Sequence, residues 1–300
     1  MSQNVILLET GTNELEIVEF TIGETRFGIN VIKVREIINP VHVTKLPNSH
    51  PSVEGIVEIR GEIMPVIDLA KVLGEGPSEN GKLDKFIITE FNKQKFIFRV
   101  HTVTQIYRIS WKDIEKPSSV NSGTENSIIG VVEIKNNLIL LLDFEKIMVD
   151  IDNKLGINPD GLQALESRER FNKTIVIAED SIFLQNLIRK SLNEAGYMNL
   201  LFFENGQEAL EFLISKSSNG EKIDNSVQLV ITDIEMRQMD GHYFTKQIRA
   251  NEDLKHLPVI IFSSLITDDL RHKGEMVGAT AQVSKPEIVE LVGLIDKHVL

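Results

Sequence analysis

No cysteine occurs among the 300 residues, which excludes disulfides, thiolate chemistry and cysteine-bound zinc, and is what a reducing, cytoplasmic setting tolerates. Basic side chains are in deficit, 32 against 44 acidic ones, and the net charge of −12 repels a phosphate backbone, so nucleic acid is not an expected partner. No apolar run approaches the roughly 20 residues that span a bilayer. The start, MSQNVILLETGTNE, lacks the basic-then-apolar order of a signal peptide, so neither membrane insertion nor export is expected. What remains, 42% apolar and 25% charged, is an ordinary globular chain long enough for two domains.

Periodicity divides it. The polar stretch DIDNKLGINPDGLQALESRER, from Asp150 to Arg170, carries Gly156, Pro159 and Gly161, and residues 151–171 read as a linker. Before it, alternating apolar residues dominate: Val18, Phe20 and Ile22, then Phe27, Ile29 and Val31, flank the turn GETR. The pattern returns 69 residues later, with Ile87, Thr89 and Phe91, then Phe96, Phe98 and Val100, around NKQK. A second match, VEGIVEIRGEIMPVIDLAKVL from Val53 against IIGVVEIKNNLILLLDFEKIM from Ile128, runs in register at an offset of 75. Two related β units in tandem are expected, as small barrels or sandwiches rather than a helical bundle, and closing each sheet would remove its exposed edges.

After the linker come five short apolar runs, TIVIA, NLLFF, QLVIT, PVIIF and ATAQV, with helical spacing between them. One amphipathic face carries Phe183, Leu184, Leu187, Ile188 and Leu192, and another Ile288, Leu291, Val292 and Ile295. Five βα units make a doubly wound parallel sheet.

Ligands of such sheets bind beyond the carboxyl ends of the strands. Those positions hold Glu179 and Asp180, then Asp233, Ser263, and Lys285 followed by Pro286. Carboxylates without cysteine or paired histidine suit a hard cation such as magnesium. A cation and a lysine around one carboxylate are the layout for stabilising a phosphoryl group in transfer, with Asp233 as acceptor and Ser263 as an oxygen ligand. Each position has a plainer reading: Asp180 or Ser181 can cap the next helix, and a lone serine or lysine there is ordinary. Asp233 resists it, because Asp240 and Gly241 look like the following cap.

Residues 172–300 resemble the response-regulator receiver domain, through VIAEDS, TDIEMRQMDG, VIIFSS and SKP. The resemblance implies a flavodoxin-like fold in which Asp233 accepts a phosphoryl group from a histidine kinase. It implies Mg²⁺ held by Asp180, Asp233 and the backbone carbonyl of Glu235, Glu179 acting through water, and Ser263 and Lys285 as the switch pair. Two departures stand out: Arg237 replaces the usual proline after the acceptor, and Gln282 the usual aromatic three residues before the lysine. Residues 14–150 resemble the CheW-type coupling domain, through EIVEFTIGETRFGINVIKVREI, GIVEIRGEIMPVIDL and GVVEIKNNLILLLDFEKI. That family's fold is two small β barrels, and it joins chemoreceptors to the CheA histidine kinase. By position, Val34, Glu36, Gly55, Arg60 and Gly61 match its partner-facing motifs. Read without the family, Arg60 and Gly61 are a hairpin tip, Glu36 an exposed carboxylate and Val34 core.

A coupling domain followed by a receiver is the arrangement of the CheV family. It implies a non-enzymatic cytoplasmic adaptor, recruited to chemoreceptor arrays and tuned by phosphorylation of Asp233. A phosphate sink for the kinase is the alternative. An aspartate-nucleophile phosphatase fits less well, since it wants a second aspartate where Glu235 stands, and no DxGxG nucleotide loop marks a kinase. The seven histidines lack paired metal-ligand spacing and read as surface or satisfied residues, and Trp111 as core.

Overall fold

The computed structural model describes residues 12–92, 94–116, 127–152, 170–217, 222–285 and 287–300. The sequence features at residues 1–11, Lys93 in the NKQK turn, the linker positions 153–169 and Pro286 lie outside the described residues. The chain divides into two compact units.

The first unit is β-rich. Its strands are β1 (Glu14–Ile22), β2 (Thr25–Asn30), β3 (Val34–Ile38), β4 (Val53–Ile59) and β5 (Glu62–Asp68), followed by the one-turn helix α1 (Leu69–Val72). Then come β6 (Lys85–Phe91), β7 (Gln94–Val100), β8 (Thr102–Ser110), β9 (Ile128–Ile134), β10 (Asn137–Leu142) and the helix α2 (Phe144–Ile151). They form two five-stranded sheets, ordered β8-β1-β2-β10-β9 and β3-β6-β7-β5-β4. Each is closed by an equivalent bridge, Glu115 to Val131 in one and Thr44 to Ile56 in the other, so both are small barrels and no long edge is left open.

The two sheet orders superpose strand for strand under the sequence repeat, and the likeness extends to the helix caps. Asp68 accepts a hydrogen bond from the Lys71 amide, and Asp143, 75 residues on, from the Lys146 amide. The expected tandem order is not what forms, however. The β1–β2 hairpin lies in one sheet between β8 and the β9–β10 hairpin from the far end of the unit, while β3 to β7 make the other barrel. Parallel pairing of β2 with β10 and of β7 with β5 causes this exchange, because it joins a hairpin of one repeat to a hairpin of the other. Phe20, Phe91, Phe98 and Phe144 fill the core, with Phe98 edge-on to Phe144 at 4.9 Å between ring centroids.

The second unit alternates strand and helix: β11 (Thr174–Ala178), α3 (Ile182–Glu194), β12 (Asn199–Phe203), α4 (Gly206–Ser217), β13 (Leu229–Thr232), α5 (Gly241–Ala250), β14 (Val259–Ser263), α6 (Asp268–Met276), β15 (Ala281–Ser284) and α7 (Ile288–Val299). All pairings in its sheet are parallel, in the order β12-β11-β13-β14-β15. One face buries Ile175, Ile177, Ile188, Leu291 and Ile295, and the other Val176, Leu213, Phe244, Ile248 and Val259. This double cover is why the strands read as unbroken apolar runs. The chain order reverses between β11 and β13, and the crevice at that switch point is where side chains from the strand ends meet. At the opposite, amino-terminal side, Arg170 forms a two-pronged ion pair with Asp296 of α7 at 2.8 and 2.6 Å, and the Tyr197 hydroxyl donates to the same carboxylate.

Candidate functional site

Strand β13 is buried along its whole length and carries Asp233 to the carboxyl edge of the sheet, with only 4% of its surface exposed. The Asp233 amide donates to the Ala178 carbonyl, continuing the ladder, and its Oδ1 accepts from the Ile234 amide at 2.6 Å. Two neighbours seize its carbonyl oxygen from the other side. Thr232 Oγ1 donates to it at 2.9 Å, and Gly241 packs so tightly that a Cβ there would stand 2.9 Å from the carbonyl carbon. Gly241 is the first residue of α5, and Asp240 caps that helix, its Oδ1 accepting from the Tyr243 amide. Asp233 itself caps nothing, as its position before a loop implied.

Next to it, β11 delivers Glu179 and Asp180. Ser181, not Asp180, caps α3, accepting from the Leu184 amide. Glu179 is buried, and its Oε1 accepts from the Ser181 amide. From β15 comes Lys285, 1% exposed, whose Nζ donates to Glu179 Oε2 at 2.7 Å and to Asp233 Oδ2 at 3.2 Å. Its amide donates to the carbonyl of Ser263, which fixes the end of β15 against the end of β14. Ser263 is buried, and its Oγ accepts from the Leu265 amide. Glu235, 8% exposed, follows Asp233 by two residues.

Glu179 and Asp233 therefore share one buried lysine at the strand ends, and Asp180 and Glu235 follow them closely in the chain, so acidic residues outnumber the lysine there. That surplus of negative charge, made of hard oxygen donors, fits a small divalent cation. Among the described residues no three acidic or histidine side chains converge on a point. The ligand set implied by the receiver resemblance, two carboxylates and a backbone carbonyl, does not call for three, since Mg²⁺ keeps several waters.

Sequence reasoning missed the neighbours that hold these groups. Arg237 is buried and pairs with Glu204 beyond β12 at 3.2 Å, tying down the loop where a proline was expected. His242 departs from the reading of surface or satisfied histidines. It is buried, its Nε2 finds no partner among the described residues, and burial pushes its pKa down to about 4. Burial also pushes the Asp240 carboxyl up to about 6. The Asp-Gly pair hinted at Gly241; nothing in the sequence marked the buried imidazole.

In the first unit, Arg60 and Gly61 form the tip of the β4–β5 hairpin, both with positive φ, and Arg60 donates to Glu36 of β3 at 3.0 Å. This pair borders an open groove of about 330 Å³ whose rim is three ion pairs: Arg60–Glu36, Arg35–Glu90 and Lys95–Glu62. Its floor is Ile59, Met64 and Ile88. Val34 is half-buried against the barrel core. Gly55 is buried at φ +153°, where a Cβ would stand 2.8 Å from the Thr44 carbonyl carbon, so its place in the motif has a backbone reason: it admits the bridge that closes the barrel. Trp111 is buried, as expected. The duplication repeats the tip at Lys135 and Asn136, again with positive φ, and the equivalent residues Ile63 and Leu138 are 68% and 62% exposed.

Comparison with known proteins agrees with both halves. Residues 16–152 match the CheW-like domain and residues 175–296 the response regulator receiver domain. The molecule is thus a coupling-type double barrel joined to a receiver. The chemotaxis protein CheV3 of Helicobacter pylori is 33% identical over 300 residues, covering 95% of this chain and 94% of that protein. CheV2 of the same organism is 28% identical over 285 residues, covering 90% of this chain and 89% of that protein. CheW of Thermotoga maritima is 29% identical over 150 residues, covering 50% of this chain and 98% of that protein. The chain belongs to the CheV family of chemotaxis proteins. No helix among the described residues is long and apolar enough to cross a membrane.

Proposed function

We propose that this protein is an adaptor that couples chemoreceptors to a CheA-type histidine kinase and that phosphorylation of Asp233 tunes the coupling. The observation that carries the reading is the placement of Asp233: a buried carboxylate at the switch point of a parallel sheet, held by Lys285 on one oxygen and the Ile234 amide on the other.

An Asp233 oxygen attacks the phosphorus of the kinase phosphohistidine. The P–O bond forms as the P–N bond breaks, and the departing imidazole nitrogen keeps the electron pair and is protonated from solvent. Asp180, Asp233 and the Glu235 carbonyl, with Glu179 through water, would hold Mg²⁺, which would supply positive charge to the phosphoryl oxygens. Lys285 already lies at Asp233 and turns to the new phosphoryl charge, and the Ser263 hydroxyl donates to it. The tight seat of Asp233 between Thr232 and Gly241 keeps the acceptor in place during the exchange.

Partner contact is assigned to the face around Val34, Glu36, Gly55, Arg60 and Gly61. A groove with an apolar floor and a balanced charged rim suits a protein surface of mixed character, and its exposed ion pairs add little stability, which leaves them free for recognition. Reconstituted receptor arrays test the whole reading. Kinase activity is measured with the unphosphorylated chain, the phosphorylated chain, Asp233→Ala and Arg60→Glu. The adaptor reading expects Arg60→Glu to lose coupling and phosphorylation to change it in the native chain alone. Phosphorylation without any change in kinase activity makes the protein a phosphate sink instead.

A further inference from the structure

The loop that runs from Asp233 to α5 contains a tight turn. The Met239 amide donates to the Arg237 carbonyl at 2.6 Å across Gln238, which stands at φ +62°. Three-residue turns with a left-handed centre are rare and strained, and glutamine has no special aptitude for that conformation, so the turn forms where its surroundings impose it. Both backbone groups of Gln238 are taken. Its amide donates to the Trp111 carbonyl at 2.9 Å, and its carbonyl accepts from Asn13 Nδ2 at 2.8 Å.

Asn13 does more than brace the turn. Its Oδ1 accepts from the amide of Asp240, the capping residue of α5, at 3.0 Å. One planar amide, on a residue only 4% exposed, thereby fastens a carbonyl and an N–H two residues apart. Asn13 itself sits at φ +60°, a conformation asparagine adopts readily, and its carbonyl accepts from the Trp111 amide at 3.1 Å and from Ser110 Oγ at 3.3 Å. Its loop partners lie 225 and 227 residues away in the chain, yet Asn13 and Ser110–Lys112 belong to the receiver's compact unit. Residues 172–300 therefore do not by themselves contain the groups that hold this turn.

The held segment matters for what it carries. The Gly241 amide donates to the Ile234 carbonyl at 2.9 Å, and the Gly206 amide to the Met239 carbonyl at 3.3 Å, so residues 234–241 form one closed loop. Glu235, whose carbonyl the phosphoacceptor reading gives to Mg²⁺, lies inside it. A ligand group fixed before the cation arrives loses less freedom on binding.

We propose that Asn13 is a positioning residue for the phosphoacceptor site: with the Trp111 carbonyl it holds the 237–240 turn and so presets the loop that presents Glu235 to Mg²⁺. The Mg²⁺ clause rests on the phosphoacceptor reading; the hold on the turn does not.

The full-length chain tests both. Asn13→Gly keeps the left-handed backbone and the bonds of the residue 13 carbonyl and removes only the side-chain amide. Hydrogen exchange without metal is expected to speed about three- to thirtyfold at the Gln238 and Asp240 amides, while the β13 amides keep their protection and show the receiver folded. Unchanged exchange at either amide overturns the hold. If β13 also loses protection, Asn13→Asp, which keeps the acceptor and lacks the donor, is read at the Gln238 amide in the same way. In a second arm Mg²⁺ is titrated calorimetrically, and phosphorylation by acetyl phosphate is followed by mass over a range of Mg²⁺ concentrations. Asn13→Gly is expected to weaken Mg²⁺ binding about three- to tenfold and to move the half-saturating Mg²⁺ concentration by the same factor, with the saturated rate within about twofold of wild type. Equal Mg²⁺ affinity in the two chains overturns the positioning role, as does a loss confined to the saturated rate. A wild type that binds no Mg²⁺ or takes no phosphate defeats the phosphoacceptor reading, and the hold on the turn is then judged on the first arm alone.

Discussion

Lys285 and Glu179, 106 residues apart in the chain, meet at 2.7 Å with 1% of each residue exposed. A buried lysine of this kind is tolerated because two carboxylates flank it, and the carboxylates are tolerated because of the lysine. Removing it strands negative charge in a dry crevice. Lys285→Met is expected to lower unfolding free energy by about 3 kcal/mol at neutral pH without added divalent cation, and Glu179→Gln in the same background to restore part of it. Urea unfolding of the four forms checks this; strictly additive effects would show that the pair is not coupled.

Gly241 restrains the same site from the opposite side. Gly241→Ala places a methyl 2.9 Å from the Asp233 carbonyl carbon and 3.0 Å from Thr232 Oγ1, and neither atom can retreat within β13 and the tight turn after it. A loss of about 1–3 kcal/mol is expected, with slower phosphorylation from a small donor even at temperatures where the variant is fully folded. Wild-type phosphorylation kinetics in that variant would show that the close packing has no bearing on the acceptor.

Glu235 is buried two residues after Asp233 in the chain, and its negative charge is expected to oppose approach of a hydroxide or polarised water to a phosphoryl group on Asp233. Glu235→Ala is expected to shorten the phosphoryl half-life about threefold to tenfold, measured as loss of acid-stable label after the donor is removed. An unchanged decay removes this role.

Much of this was legible beforehand, and the reasons differ by element. The five receiver strands showed as apolar runs because both faces of the sheet are covered, and Asp233, Ser263 and Lys285 could be placed because residues following such runs lie on one edge. The internal repeat was legible because its strands alternate alike and share residues in register, and one shared pair, Asp68 and Asp143, is kept in step by capping equivalent helices. The exchange of hairpins between barrels was not, because parallel pairing of β2 with β10 joins segments more than a hundred residues apart and leaves no local trace. The same holds for Arg237 and Glu204, whose pairing exists only once β12 and the loop after β13 lie side by side. Gln282 showed as a departure from a pattern, but Gly274, the glycine that admits it, lies on another element.

The imidazole of His242 predicts a pH dependence. Burial lowers its pKa in the folded chain to about 4 from an ordinary value of 6.5. Between those limits the unfolded chain binds the extra proton and the folded one does not, so stability falls as pH drops through 6.5 towards 4. His242→Leu removes this liability, and the gap between variant and wild type is expected to shift by about 3 kcal/mol in the variant's favour across that window. The comparison is needed because Asp240, raised to about 6, works in the opposite direction: its folded form holds a proton longer, so stability falls as pH rises from 3.8 to 6. Parallel pH profiles for the two chains would show that His242 does not titrate as its burial implies.

The central claim is that Asp233 receives phosphate from a kinase. Its most direct test is transfer of radiolabel from a phosphorylated CheA-type kinase to the full-length chain in the presence of Mg²⁺, with Asp233→Ala alongside. The account predicts rapid labelling of the native chain, none of the variant, and label that is stable in acid and lost in base, as expected of an acyl phosphate. Labelling of both chains, or of neither, would contradict it.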